Sequence, residues 1–240
     1  MESQGLTYHT TDGAAYWDES VYYELTAAEV AAPQMADRFI PLGDTVPNFG
    51  FSSDVFWVRL ALTNRSAAAI PLVLHLDWPG VNYMDVYEGV PEPGAEPLFT
   101  SGALRPYDTR PLPGRGFAFP ISAPAKTTTD YYLRLSSALP IYLGLDLWQP
   151  AAFNASQTRD EIAWGIVLGM LLLMTGYNLL LYIGLRDRNH LVLVTFGLLV
   201  AVSTGVAGGY VNRWLPPTLA GWWPVIMALT TALVIASFAL

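Results

Sequence analysis

The chain has 240 residues, none of them cysteine, with 20 acidic against 12 basic side chains and a formal net charge of −8. Without cysteine there is no disulfide framework, no thiolate metal site and no cysteine nucleophile, a composition that suits an oxidising compartment. Through Glu161 there are 19 acidic and 9 basic residues, a formal −10, whereas beyond it there are 1 acidic and 3 basic, a formal +2. The two parts belong in different solvents, and a surface at −10 repels phosphate backbones, which excludes nucleic acid as a partner of the first part.

The start, "MESQGLTYHTTDGAAYW", carries neither a basic n-region nor an apolar h-region, so it does not read as a signal peptide. Met1 is expected to replace or follow a removed targeting segment. Residues 1 to about 150 read as all-β. In "DVFWVRLALTN" (54 to 64), Val58, Leu60 and Leu62 share one face, and Trp57, Arg59, Ala61 and Thr63 the other. "IPLVLHLD" (70 to 77) alternates in the same way, with Ile70, Leu72, Leu74 and Leu76 against Val73, His75 and Asp77. Further strands are expected at 81 to 89, 116 to 121, 130 to 136 and 140 to 148, separated by segments rich in Pro, Gly, Asn and Asp, with a long surface turn at "PEPGAEP" (91 to 97). Strands at this spacing predict a β-sandwich or jelly roll.

"WQPAAFNASQTRDE" (148 to 161) leads out of that domain. Ile162 to Leu185 is then free of charge for 24 residues, enough for a helix of roughly 36 Å, which spans a bilayer. Leu191 to Val211 is a second uncharged run and Trp222 to Leu240 a third, opening on "WWP", whose tryptophans suit the headgroup belt. The expected domains are a sandwich at 1–153, a linker at 154–161 and a membrane region at 162–240 with helices at about 162–185, 191–211 and 222–240. Arg186 and Arg188 lie in the short loop between the first two helices, which the positive-inside rule places in the cytoplasm and the acidic first domain therefore outside.

Taken together, "PNFGFSSDVFWVRLALTN", "LHLDWPGVNYMDVYEG", "RPLPGRGFAFPISAPAKTTTDYYLRLSS" and "LGLDLWQPAAF" resemble the type-2 extracellular domain of the bacterial seven-transmembrane receptors with diverse intracellular signalling modules. "GIVLGMLLLMTGYNLLLYIGLRDRNHLVLVTFGLL" looks like the beginning of that family's membrane region. The resemblance implies a periplasmic jelly-roll sensor akin to carbohydrate-binding modules, seven helices in a bacterial inner membrane, and a cytoplasmic output such as a diguanylate cyclase, kinase or phosphatase. The sequence departs from that plan by stopping in what would be the third helix.

Sugars are held by rings stacked on their C–H faces and by planar donors, which makes Trp57, Arg59, Trp78, Tyr83, Tyr107, Arg110 and Arg115 the candidate ligand-binding set. The plainer reading is that the rings are sandwich core and the arginines pair with nearby aspartates. His75, Asp77 and Asp85 form a weaker candidate for a divalent cation, short of the ligands a calcium site needs, so no metal is expected. No nucleophile elbow, H-E-x-x-H or phosphate-cradling loop occurs, so neither catalytic residues nor a cofactor is expected. In the first membrane helix Gly165 and Gly169 form a G-x-x-x-G pair that admits a close neighbour, and Asn178 is an amide that needs a partner in hydrocarbon. The expected partners are the bilayer, a carbohydrate or other small ligand and a cytoplasmic output module, with a homodimer left open. The competing functions are a periplasmic protein-docking scaffold and, more remotely, an anchored hydrolase.

Overall fold

The computed structural model describes residues 8–9, 14–19, 25–41, 46–52 and 54–237, the first two segments as backbone only. The chain divides into two compact units, Met1–Phe153 and Asn154–Leu240. Both the start of the chain, where a targeting segment was sought, and the last residues of the third apolar run lie outside the described residues.

The first unit is a sandwich of two antiparallel sheets. Its strands are β1 (Tyr8–His9), β2 (Ala14–Glu19), β3 (Ile40–Pro41), β4 (Val55–Thr63), β5 (Ile70–Leu76), β6 (Tyr83–Glu88), β7 (Phe99–Ser101), β8 (Phe117–Ala123), β9 (Thr128–Ser136) and β10 (Leu145–Trp148). The smaller sheet runs β1-β10-β5-β8 and the larger β3-β2-β4-β9-β6-β7. Side chains alternate across a strand, so each strand sends every second residue inward. Phe56, Val58 and Leu60 from β4, Leu133 and Leu135 from β9, and Met84 and Val86 from β6 meet Leu72, Leu74 and Leu76 from β5 and Phe117, Phe119 and Ile121 from β8 in one core. β8 is an edge strand, which is where a strand proline such as Pro120 is tolerated.

Two sequence expectations shift. "PIYLGLDLW" forms a strand only from Leu145; before it Tyr142 makes an isolated antiparallel bridge to Asn48, and Ile141 and Leu143 on either side are buried in the core. The outward face of β4 is also buried: helix α1 (Ala27–Val30) lays Ala27, Val30 and Ala31 over Val55, Trp57 and Tyr132, giving a second apolar cluster. A third cluster covers the outside of the smaller sheet, where Phe153 packs with Val73 and Ala118 and meets His75 edge-on, ring centroids 5.2 Å apart.

The second unit is helical. Helix α2 (Pro150–Leu185) is unbroken for 36 residues and includes 154–161, where a linker was expected. At 1.5 Å per residue it measures about 54 Å, well beyond a ~30 Å hydrocarbon layer. Helices α3 (Arg188–Ala207) and α4 (Trp223–Ser237) follow. Leu173, Met174 and Leu180 are each about two-thirds exposed or more, a surface that only lipid solvates well. Among the described residues three helical segments are long and apolar enough to cross a membrane.

Packing within this unit is specific. Thr175 of α2 lies so close to Gly197 of α3 that a Cβ at Gly197 would collide with the threonine hydroxyl. Asn178 Oδ1 lies 3.2 Å from His190 Nδ1, and the Asn178 amide donates to the Met174 carbonyl at 2.9 Å. Among the described residues nothing lies within 4 Å of where a Cβ would stand at Gly165 or Gly169, the pair expected to admit a close neighbour. Asp187 caps α3 by accepting from the Asn189 N–H at 3.0 Å.

Gly102 is a stringent position in the sandwich: its φ is 150°, and a Cβ there would strike the Asn82 carbonyl, backbone that cannot yield. Gly102→Ala is expected to lower the melting temperature of the detergent-solubilised chain by an amount equivalent to about 1–3 kcal/mol, whereas Gly144→Ala, whose Cβ would meet nothing, is expected to leave it within about 0.5 kcal/mol.

Candidate functional site

Of the ring and arginine set read from the sequence, Tyr107, Arg110 and Arg115 share one loop, while Trp57 and Arg59 lie on β4. Arg59 is spent on Asp130, with Nε to Oδ1 at 3.3 Å and Nη2 to Oδ2 at 3.0 Å, and this partner raises its pKa. Arg115 makes the same two-pronged contact with Asp77, at 3.0 and 2.7 Å. Trp78 folds over Gly80 and meets Tyr142 edge-on at 5.4 Å. Tyr83 stays 40% exposed, with the Arg105 guanidinium 5.5 Å from its ring centre.

Arg110 and Tyr107 form a clip within the loop that runs from residue 107 to 116. Arg110 Nη1 donates to the carbonyls of Gly114, Arg115 and Gly116 at 2.9 to 3.0 Å, and its guanidinium lies between the rings of Tyr107 and Phe117, 4.8 and 4.6 Å from their centres. No carboxylate is among these partners, and burial pulls its pKa down to about 10. Tyr107 closes the same loop, its hydroxyl accepting from the Gly114 N–H at 3.0 Å. The three acidic and imidazole residues considered for a cation separate as well: His75 and Asp77 belong to the smaller sheet side, while Asp85 lies on β6 of the larger sheet and accepts from Arg105 at 2.5 Å.

Of the seven ring and arginine candidates, Trp57 alone lines a cleft described in this unit. The cleft, about 430 Å³, lies on the outer face of the larger sheet. Its wall on one side is the start of α1 (Leu25, Thr26, Ala27 and Ala28), and on the other the turn carrying Glu92, Gly94 and Ala95. The floor comes from Trp57, Asp85, Tyr87 and Arg134. Register explains this grouping: Trp57 pairs with Arg134 across β4 and β9, and Arg134 with Asp85 across β9 and β6, so all three project from the same face. Tyr87, two residues beyond Asp85, projects with them.

Polar groups of the cleft are unequally spent. Asp85 serves Arg105 and has Arg134 Nη1 3.8 Å from its other oxygen. Trp57 is 1% exposed and its Nε1 has no hydrogen-bond partner among the described residues. Burial, reinforced by Asp85, raises the Tyr87 pKa and keeps its phenol protonated. Sequence reasoning missed Tyr87, Glu92 and Arg134, although the outward positions of "VNYMDVYEG" and "DYYLRLS" carry the polar and aromatic alternation that marks them.

Residues 13–149 match the family described as 7TMR-DISM extracellular 2, and residues 160–240 match 7TM diverse intracellular signalling. The chain belongs to this receptor family. In keeping with its family it is a membrane protein with an N-terminal extracellular domain, and its apolar helices contact the lipid bilayer. No curated protein matches the chain. Among solved structures, the K1 cleaved adhesin domain of Lys-gingipain from Porphyromonas gingivalis W83 is similar at 12% identity over 62% of this chain and 89% of that one, with a TM-score of 0.23. A likeness this loose carries no argument.

The α1 wall of the receptor's cleft responds to acid in a defined direction. The Thr26 N–H and hydroxyl both donate to Glu29 Oε2 at 2.8 Å, and the Glu29 N–H donates back to Thr26 Oγ1. These bonds hold the Glu29 carboxyl below its ordinary range. A carboxyl lowered on folding supports the folded form above its unfolded pKa and loses that support as pH falls through the folded value. Amide-exchange protection of residues 27–31, corrected for intrinsic rates, is therefore expected to decline as the solution passes below the ordinary carboxylate range, and Glu29→Gln to flatten that decline. Arg110→Met, which strands three carbonyls, is expected to cost roughly 2 kcal/mol or more in thermal unfolding.

Proposed function

We propose that the protein is a non-catalytic receptor of a bacterial inner membrane, whose sandwich senses a small hydroxylated ligand, a carbohydrate foremost, in the periplasm. Occupancy is passed through the membrane helices to a cytoplasmic signalling module. The observation that carries this reading is the cleft: Tyr87, Asp85, Glu92 and Arg134 beside the buried Trp57, around a space of about 430 Å³. That volume is within the ~300–1,000 Å³ of small-molecule sites, and rings beside mixed donors and acceptors suit a polyol. The jelly-roll, carbohydrate-binding-like character expected from the sequence is part of the same proposal.

Signalling requires that the ligand bind two arrangements of the receptor unequally, since a ligand with equal affinity for both shifts nothing. A docking scaffold is the second reading, favoured by the apolar side chains that residues 46–51 offer to solvent, Val46 at 62% and Phe51 at 80% exposure.

Thermal-shift screening of the detergent-solubilised chain against oligosaccharides, organic acids and peptides discriminates the two. At a hundredfold excess over Kd a ligand stabilises by about 2.7 kcal/mol, so a sugar is expected to raise the melting temperature measurably, and Tyr87→Phe with Glu92→Gln to reduce the rise. No shift from any class favours the scaffold. Because the chain lacks cysteine, Asn189→Cys offers a clean topology probe: a membrane-impermeant maleimide is expected to label it in inside-out vesicles and not in intact cells.

A further inference from the structure

We propose that the outer face of the larger sheet carries a site for a sugar acid, in which Arg105 takes the ligand carboxylate through its Nε and Nη2 edge and Tyr83 takes the face of the sugar. The assignment rests on the carbohydrate reading of the sensor unit and narrows it to one chemical class.

Three arginines of the sandwich offer a direct comparison. Arg59 and Arg115 each turn the Nε and Nη2 edge of the guanidinium to an aspartate, which fills it with two bonds. Arg105 is anchored from the opposite corner: Nη1 donates to the carbonyls of Met84 and Ser101 at 3.0 Å and to Asp85 at 2.5 Å. Its Nε and Nη2 donate to no group among the described residues, and neither is one of the buried nitrogens that lack a partner, so both are open to solvent. That edge of a planar guanidinium matches a carboxylate through two parallel bonds, the contact this chain makes twice with its own aspartates.

The edge is held in place before any ligand arrives. The Arg105 N–H donates to Gly102 at 3.2 Å, the Leu104 N–H to Asn82 at 3.2 Å and the Ala103 N–H to Val81 at 2.8 Å, which ties the backbone down. Three acceptors fix the guanidinium from one side, and the side chain keeps 25% of its surface exposed. Ordering of a long side chain, a large part of what binding costs, is therefore met on folding.

Tyr83 supplies the second element. Side chains alternate along a strand, so Tyr83 and Asp85 project from β6 on the outer face while Met84 enters the core. The Tyr83 ring is 40% exposed and its centre lies 5.5 Å from the guanidinium carbon of Arg105, so one sugar reaches both. A pyranose lays its C–H face on an exposed ring, and a carboxylate at C6 meets the neighbouring arginine. A neutral sugar brings hydroxyls instead, which a charged donor holds less strongly than a carboxylate. The formal −10 of the domain opposes an anion at long range, but salt at ~0.1 M confines that effect to roughly 10 Å, and the contact at Arg105 decides.

The test titrates D-glucuronate and D-glucuronamide calorimetrically into the full chain in nanodiscs; the two share ring and hydroxyls and differ in whether C6 is a carboxylate or a neutral amide. Glucuronate is expected to bind about tenfold more tightly, with the preference shrinking as salt is raised. Arg105→Lys keeps a positive charge without the planar edge and is expected to retain about a twofold preference, whereas Arg105→Gln keeps donors for the carbonyls without charge and is expected to show none. Tyr83→Ala is expected to weaken both sugars by a similar factor. In the wild-type chain, which needs no variant to fold, glucuronate is expected to protect Arg105 from phenylglyoxal, mapped by peptide mass spectrometry, while labelling of Arg59 and Arg115 stays unchanged. Equal binding of the two sugars overturns the carboxylate assignment and leaves the carbohydrate reading standing. An undiminished preference in both Arg105 variants, or an Arg105 that stays unprotected, overturns the role of Arg105, and unchanged binding in Tyr83→Ala overturns that of Tyr83. Absence of binding by both sugars overturns the sugar-acid assignment, and the oligosaccharide screen then decides the carbohydrate reading by itself.

Discussion

Burial of both faces of the central strands is the constraint on which the sensor unit depends. β4 and β9 send Phe56, Val58, Leu60, Leu133 and Leu135 into the space between the sheets, and the same pleat necessarily sends Trp57 and Tyr132 the other way. Those outward rings are too large to leave in water without cost. The α1 segment and its neighbours cover them almost completely, Trp57 to 1% and Tyr132 to 3% exposure. The cleft lies beside them, where the apolar cluster of Trp57 gives way to the charged group of Asp85, Arg105 and Arg134.

The distribution of arginines follows from the same economy of burial. Arg59 and Arg115 are held in two-pronged contacts with aspartates, an arrangement that ties neighbouring segments of a sheet together while contributing little net stability at partly exposed sites. Arg110 differs, since its charge is buried against carbonyls and aromatic faces, and its role is to hold the loop between residues 107 and 116 closed. Arginines that look alike in sequence thus separate into arginine–aspartate pairs, a loop clip and, at Arg134, a group lining the cleft.

In the membrane unit the solvent is lipid, and the hydrophobic effect no longer drives helix against helix. Close contact and side-chain hydrogen bonds take over: Thr175 against Gly197, Asn178 with His190, and Trp164 against Tyr210 at 5.6 Å. Gly165 and Gly169 carry the familiar spacing, with nothing among the described residues within 4 Å of where their Cβ atoms would lie. Spacing states that a neighbour could approach; the turn of the helix decides which residue meets one.

The solvent of each part, the strand alternation and the apolar spans were determined by the sequence alone, because charge distribution and periods of 2 and 3.6 residues are local properties. The expected Asn178 partnership was likewise legible, since an amide in hydrocarbon must bond. The tertiary structure decided which outward ring is buried and which residues share a cleft. Leu25, Trp57, Asp85 and Arg134 are far apart along the chain, and only the cross-strand register of β4, β9 and β6 together with the path of the α1 segment brings them together. Register is set by the summed burial of whole strands, a quantity that no single stretch of sequence contains.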